Sequence, residues 1–214
     1  NNSNADRKTY GNNRYIYANM RSWLNSNAGA GAWYEAQHSA DTPPNSTNAN
    51  DNPYDTQAGF LNTFSTDFTN TLLTTTLTVA RNTVTDGGSS ETLTDKLFLA
   101  SNTEVGLANE NSIVEGAKLA LFSDNASRVA KPTAEAVSNS TYTNASLNVN
   151  SPWYWWLRTP KASESYGVRG VNSDGTLNSL DAYNGGYGVR PLCNIKNDTL
   201  VSLQPDTDGA YIIQ

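Results

Sequence analysis

The chain has 214 residues and a formal net charge of -6, with 14 basic residues against 20 acidic ones and no basic run longer than Arg7-Lys8. That excludes the continuous basic stripe a nucleic-acid surface needs, and no apolar stretch approaches the roughly twenty residues of a membrane-spanning helix. A single histidine, His38, and a single cysteine, Cys193, leave no internal disulfide, no cysteine metal cluster and little scope for a histidine-based triad.

A chain of this length hides roughly 70% of the surface its unfolded form exposes. No fixed repeat or linker divides it, so one domain over 1–214 is expected. Asparagine makes up about one residue in eight, far above ordinary usage, while only 16% of the chain is charged. A surface solvated by amides and hydroxyls suits an extracellular or particle-borne protein that relies on adaptable hydrogen bonds more than on long-range steering.

In chain order, Asn1 to Lys8 reads as a polar loop entering a helix, as if an upstream piece belonged before it. Ile16, Tyr17, Met20, Trp23 and Leu24 recur at helical spacing and predict a helix over 14–25. Residues 28–32 form a turn, and 38–55, with Pro43-Pro44 and many asparagines, predict an irregular surface excursion. Phe60, Leu61, Phe64, Phe68 and Leu72 return to the helical period, with Ser65 and Asp67 marking a capped restart. Residues 74–85, rich in Thr, Val and Leu, predict a strand ended by the Asp86-Gly87-Gly88 turn, and 95–100 predict a central strand. Ser101 and Glu104 have capping-box spacing for a short helix, and 132–137 predict another with Pro132 in its first turn. From Trp153 onward the pattern is strand and turn, at 153–159, 166–172, 176–183, 188–196 and 210–213. Helices early and antiparallel strands late define an α+β class.

His38 sits in a polar loop and reads as a solvated side chain. Asp41, Asp51 and Asp55 flank that loop and could hold a calcium ion, but they lack the spacing and closing glutamate of an EF-hand. Asp86-Gly87-Gly88 and Asp174-Gly175 are turn chemistry, because glycine accepts the positive φ such turns require. Trp153, Trp155 and Trp156 are three of the five tryptophans. Alternation puts Trp153 and Trp155 on one side of a strand and Tyr154 and Trp156 on the other, one side in the core and the other beneath the long loop, the alternative being an exposed sugar-stacking platform. Arg158 and Arg190, each near a proline, are expected to be structural forks. Cys193, beside Leu192 and Ile195, is expected to be a buried thiol. Between the two arginines, Lys161, Glu164, Ser165, Tyr166, Arg169, Asn178, Ser179, Leu180, Asp181, Tyr183, Asn184 and Tyr187 mix tyrosine, small polar residues and isolated charges, the composition of a paratope or equally of a solvated sheet face.

The segments WYWWLRTP, VNSDGTLN and YGVRPLCNI, with YGNNRYIYANMRSWLNS, GFLNTFSTDF and DKLFLASNTEVGL before them, resemble an uncharacterised domain of bacteria and their phages assigned to the C-type lectin fold group. Relatives in that group include the formylglycine-generating enzymes and the variable proteins of diversity-generating retroelements. The resemblance implies a twisted antiparallel sheet with long irregular excursions and a strand before the present start. The enzyme branch depends on a pair of cysteines, so the lone Cys193 leaves nothing to match to that chemistry. In the diversified branch, mutated codons near the C-terminus change side chains on a fixed sheet. Residues 160–188 are similar to such outcomes, set in a frame of Val168, Val171, Asn172, Asp174, Gly175, Leu177 and Ala182.

On that resemblance, Lys161, Glu164, Tyr166, Gly167, Gly170, Asn178, Ser179, Leu180, Asp181, Asn184, Gly186 and Tyr187 are the expected ligand-binding positions, their side chains contributing little to folding. The expected function is a non-enzymatic binding domain, without cofactor or metal, displayed on the exterior of a phage particle and recognising a host cell-surface glycan or protein. Partners would include other virion subunits, in a homo-oligomeric assembly. The alternative is a structural virion or cell-surface protein, secreted or surface-bound, whose loops make subunit contacts.

Overall fold

The structure is a computed structural model and describes residues 4–34, 42–207 and 212–213. The first element departs from expectation. Asn4, expected in a polar loop, accepts hydrogen bonds from the N–H groups of Asp6 and Arg7 at 3.0 and 3.2 Å and so caps helix α1 (Ala5–Tyr10). Gly11, at φ +89°, ends it against Tyr183, whose backbone nitrogen would lie 2.7 Å from any added Cβ. The helix expected over 14–25 divides into a 3-10 turn (Tyr15–Tyr17) and α2 (Asn19–Leu24), with Ala18 extended between them. Ser65 does cap the expected restart, α3 (Thr66–Thr71), by accepting from Phe68 N–H at 3.2 Å.

Strands β1 (Leu72–Leu73) and β2 (Thr75–Ala80) follow, and β2 forms a hairpin with β3 (Ser90–Asp95), a strand the sequence reading passes over. Gly87 and Gly88, at φ +81° and +69°, lie in its connection. Strand β4 (Leu97–Leu99) is fully buried, yet it lies at the edge of a three-stranded sheet in which β8 (Pro191–Ile195) is central and β1 is the other edge. The expected helix at Ser101 does not form, although the capping bonds do. Glu104 Oε2 accepts from Ser101 N–H at 2.9 Å and Ser101 Oγ accepts from Glu104 N–H at 3.2 Å. Gly106 at φ +72° then turns the chain away before a helix can propagate.

Two short helices, α4 (Asn125–Arg128) and α5 (Ala134–Asn139), lead into the last sheet. Thr133 caps α5, so Pro132 precedes the helix instead of opening its first turn. Strands β5 (Trp155–Pro160), β6 (Gly167–Val171) and β7 (Leu177–Asp181) form an antiparallel sheet in that order, close to the expected spans. The expected strand at 210–213 is represented by a single bridge, Val201 to Ile213, with 210 and 211 outside the described residues.

Sheet β5-β6-β7 separates two cores. Trp155, Leu157 and Val171 join Val105 and Phe122 in one, while Trp156 joins Tyr15, Leu24, Val79 and Leu99 in the other. The second face of β5 is therefore core, a correction to its expected place beneath the long loop. Trp153 is also buried and donates its indole N–H to Gly186 O at 2.8 Å.

Arg158, 1% exposed, binds Glu104 through both terminal nitrogens at 2.6 and 2.9 Å and donates to Leu99 O at 2.8 Å. Glu115, beside it, accepts from Ala80 N–H at 3.0 Å and from the Thr159 hydroxyl. Arg190 is half-buried, its guanidinium 5.2 Å from the Phe122 ring and 5.1 Å from the Trp155 ring. Cys193, expected to be buried, is exposed in β8. It lies mid-strand opposite Leu97, and its neighbours Asn194 and Ile195 are also exposed.

Candidate binding surface

The segment joining β5 to β6, residues 161–167, owes its shape to groups from elsewhere. Asn13, 2% exposed, donates its amide to Glu164 O at 2.8 Å, Gly167 O at 2.9 Å and Lys161 O at 3.4 Å. Its own carbonyl oxygen accepts from Asn82 at 2.9 Å. Arg7, held by Asp86, donates from Nε to Ser165 O at 3.0 Å, and the backbone N–H of Thr83 donates to Ala162 O at 2.8 Å. These partners satisfy the loop's carbonyls without using its side chains.

On this frame Lys161 and Glu164 form an ion pair at the surface. The Tyr166 ring lies 4.9 Å from that of Tyr10, which lies 6.2 Å from Tyr183 in an edge contact. Tyr10 is 37% exposed. Glu164 raises the Tyr166 phenol pKa above its ordinary range, helped by partial desolvation and by Asp181 and Asp6. The Asp181 carboxyl is pushed up by partial burial and by Glu164. Rings with carboxylates around them offer stacking area and hydrogen-bond acceptors in an electronegative field.

The remaining expected positions are placed differently. Leu180, across from Val168 in the β6-β7 pair, packs against the core that contains Trp156. Tyr187 stacks on Tyr154 at 5.2 Å and packs on Trp156 at 4.6 Å, and its hydroxyl accepts from Asn178 at 2.7 Å. Burial pushes its phenol pKa up to about 12. Gly170 is buried because a Cβ there would meet the Tyr187 ring at 2.7 Å. Gly167 is buried as well, and so is Ser165, whose hydroxyl bonds to Asn4. Asn178 also turns back to accept from Ser179 N–H at 2.8 Å. Asn184 accepts from Gly186 N–H at 2.7 Å, inside a loop that Asn50 and Asn52 grip through Tyr183 O and Gly185 O at 3.0 and 2.8 Å.

The expectation that all twelve positions are exposed for binding is thereby corrected. Lys161, Glu164, Tyr166 and Asp181 share one surface, whereas Leu180 and Tyr187 pack partly buried against the core that contains Trp156, Asn178 and Asn184 spend their side chains on internal bonds, and the backbone N–H groups of Ser179 and Gly186 are taken by those two side chains. Sequence reasoning missed Tyr10 and Asn13. Tyr10 precedes a glycine that ends a helix, a readable stop signal, but Asn13 carries no local mark of its role. His38 and Asp41 lie outside the described residues. Among the described residues no three potential metal-ligating side chains come together.

These features define a mixed α+β domain of short helices and small antiparallel sheets, with a surface loop braced from outside. The chain belongs to the family described as a domain of unknown function, DUF6273, which it matches over residues 1–197. No curated protein and no solved structure matches it.

Proposed function

We propose that the chain is a non-enzymatic ligand-binding domain of C-type lectin-like fold, displayed on the exterior of a phage particle. It contacts a host cell-surface glycan or protein through Lys161, Glu164, Tyr166 and Asp181 together with Tyr10 and Tyr183. The observation that carries this reading is the bracing of 161–167 by Asn13, Arg7 and Thr83, which frees that loop's side chains from the work of folding. The resemblance of the late strands to variable binding proteins supports the same reading, and with it diversification by a retroelement. Contacts this polar give modest affinity per site, so several copies on a particle would raise it by avidity.

Binding of the purified domain to host cells tests the proposal. Replacing Lys161, Glu164 and Tyr166 together by alanine lowers binding at least about tenfold without changing the circular dichroism spectrum or the thermal midpoint. Undiminished binding removes this surface from the function.

A second reading is favoured by exposed apolar side chains late in the chain, Leu200 at 69%, Leu203 at 93% and Ile212 at 59%. On that reading the chain is a structural component of a virion or cell surface, and these residues are buried against neighbouring subunits in the assembly.

A further inference from the structure

A cleft of about 340 Å3 lies on another part of the molecule, where β2 faces residues 115–119 and the middle of β4 and β8. Strand β2 pairs through one edge only, with β3. The alternation of its backbone identifies what the other edge presents. Arg81 N–H donates toward the β3 side, to Ser89 O at 2.8 Å, whereas Ala80 N–H points the opposite way and donates to Glu115 Oε1 at 3.0 Å. At a period of two, Thr78 and Thr76 present their N–H and C=O groups on the same side as Ala80, into the cleft, and no described residue bonds to them there. The outer edge of β7 differs, since Ser179 N–H is taken by the Asn178 side chain.

The rest of the cleft adds a floor and a charge. Phe98 and Leu192 supply apolar surface beside the β2 edge. At the inner end stand two carboxylates, Glu104 and Glu115, against one guanidinium, Arg158. The fully buried Arg158 side chain also leaves its Nε–H without a partner among the described residues. Burial pushes the Glu115 carboxyl pKa up, a cost that a cation nearby would offset.

We infer that this cleft takes an extended segment of another protein, which adds a strand to β2 at Thr76 and Thr78 and directs a lysine or arginine side chain over Phe98 and Leu192 toward Glu104. Main-chain bonds to an open edge give affinity in this mode, and the pocket for the alternate side chain gives selectivity. The excess of carboxylates selects a basic side chain, and the apolar floor receives its methylene stem.

The test uses the whole chain and a fluorescent, end-capped peptide, Thr-Val-Lys-Val-Thr, followed by fluorescence polarisation. Two N-methylated forms, each blocking one alternating set of amides, read out strand addition. Saturable binding is expected, lost at least about tenfold in one methylated form and kept in the other, and weakened about tenfold when the lysine becomes glutamate. Ala117→Trp, an exposed position in the cleft wall, lowers binding by a similar factor while the thermal midpoint stays in place. The inference is overturned by absence of saturable binding up to about 1 mM, by equal binding of the parent and both methylated forms, or by displacement with butylammonium as effective as with the peptide.

Discussion

Residues 161–167 and the stretch from β7 to Tyr187 are neighbours in sequence, alike in composition, and opposite in what their side chains do. The first is held by its carbonyls, through Asn13, Arg7 and Thr83, so the side chains of Lys161, Glu164 and Tyr166 are left over for contact. The second is held by its side chains, with Leu180 and Tyr187 in a core and Asn178 and Asn184 bonded within the chain. A polar, tyrosine-rich segment is thus not a binding surface by composition alone. It becomes one when its backbone is fixed without drawing its side chains into the core or into internal bonds.

Four mutations grade this contrast. Asn13→Ala has the largest effect, because it removes a donor from the Lys161, Glu164 and Gly167 carbonyls and one of the two acceptors that the Asn82 amide uses. Urea denaturation is expected to show a loss of about 3 kcal/mol, with faster amide exchange confined at first to 161–167. Tyr187→Ala follows at about 2–3 kcal/mol, since the half-buried ring is lost from its stack on Tyr154 and Trp156. Leu180→Ala costs about 1–2 kcal/mol at its partly buried position. Tyr166→Ala leaves the thermal midpoint unmoved. The contrast breaks if Tyr166→Ala destabilises as much as Tyr187→Ala.

The smallest effect is spectroscopic. Both phenols ionise above the ordinary range, Tyr166 through nearby carboxylates, Glu164 first, and Tyr187 through burial. Losing the Glu164 charge stabilises the Tyr166 phenolate, so Glu164→Gln moves that ionisation to lower pH, and added salt moves it the same way. The Tyr187 ionisation stays in place under both changes, as phenolate absorbance through an alkaline titration would show. Equal movement of the two would mean that one environment governs both rings.

The sequence by itself determined the α+β class, the strands of 153–196 and the turn at Asp174-Gly175, because alternation and turn chemistry are local and these segments obey them. It also placed Lys161 and Glu164 on a connection between strands, with Tyr166 at the start of the strand that follows. Where a local signal met a distant demand, the distant one prevailed. The Ser101–Glu104 capping bonds form as written, but Glu104 is engaged by Arg158 and Gly106 turns the chain, so no helix follows. Alternation says that Trp155 and Trp156, or Ser179 and Leu180, face opposite ways, but not whether anything covers the second face. That was decided by elements more than fifty residues away in the chain, α2, β2 and β4, which bring Leu24, Val79 and Leu99 to the Trp156 side. Burial is a property of what packs against a strand, so the difference between Tyr166, set against Tyr10 at the surface, and Tyr187, packed on Trp156 and Tyr154, belongs to the tertiary structure alone.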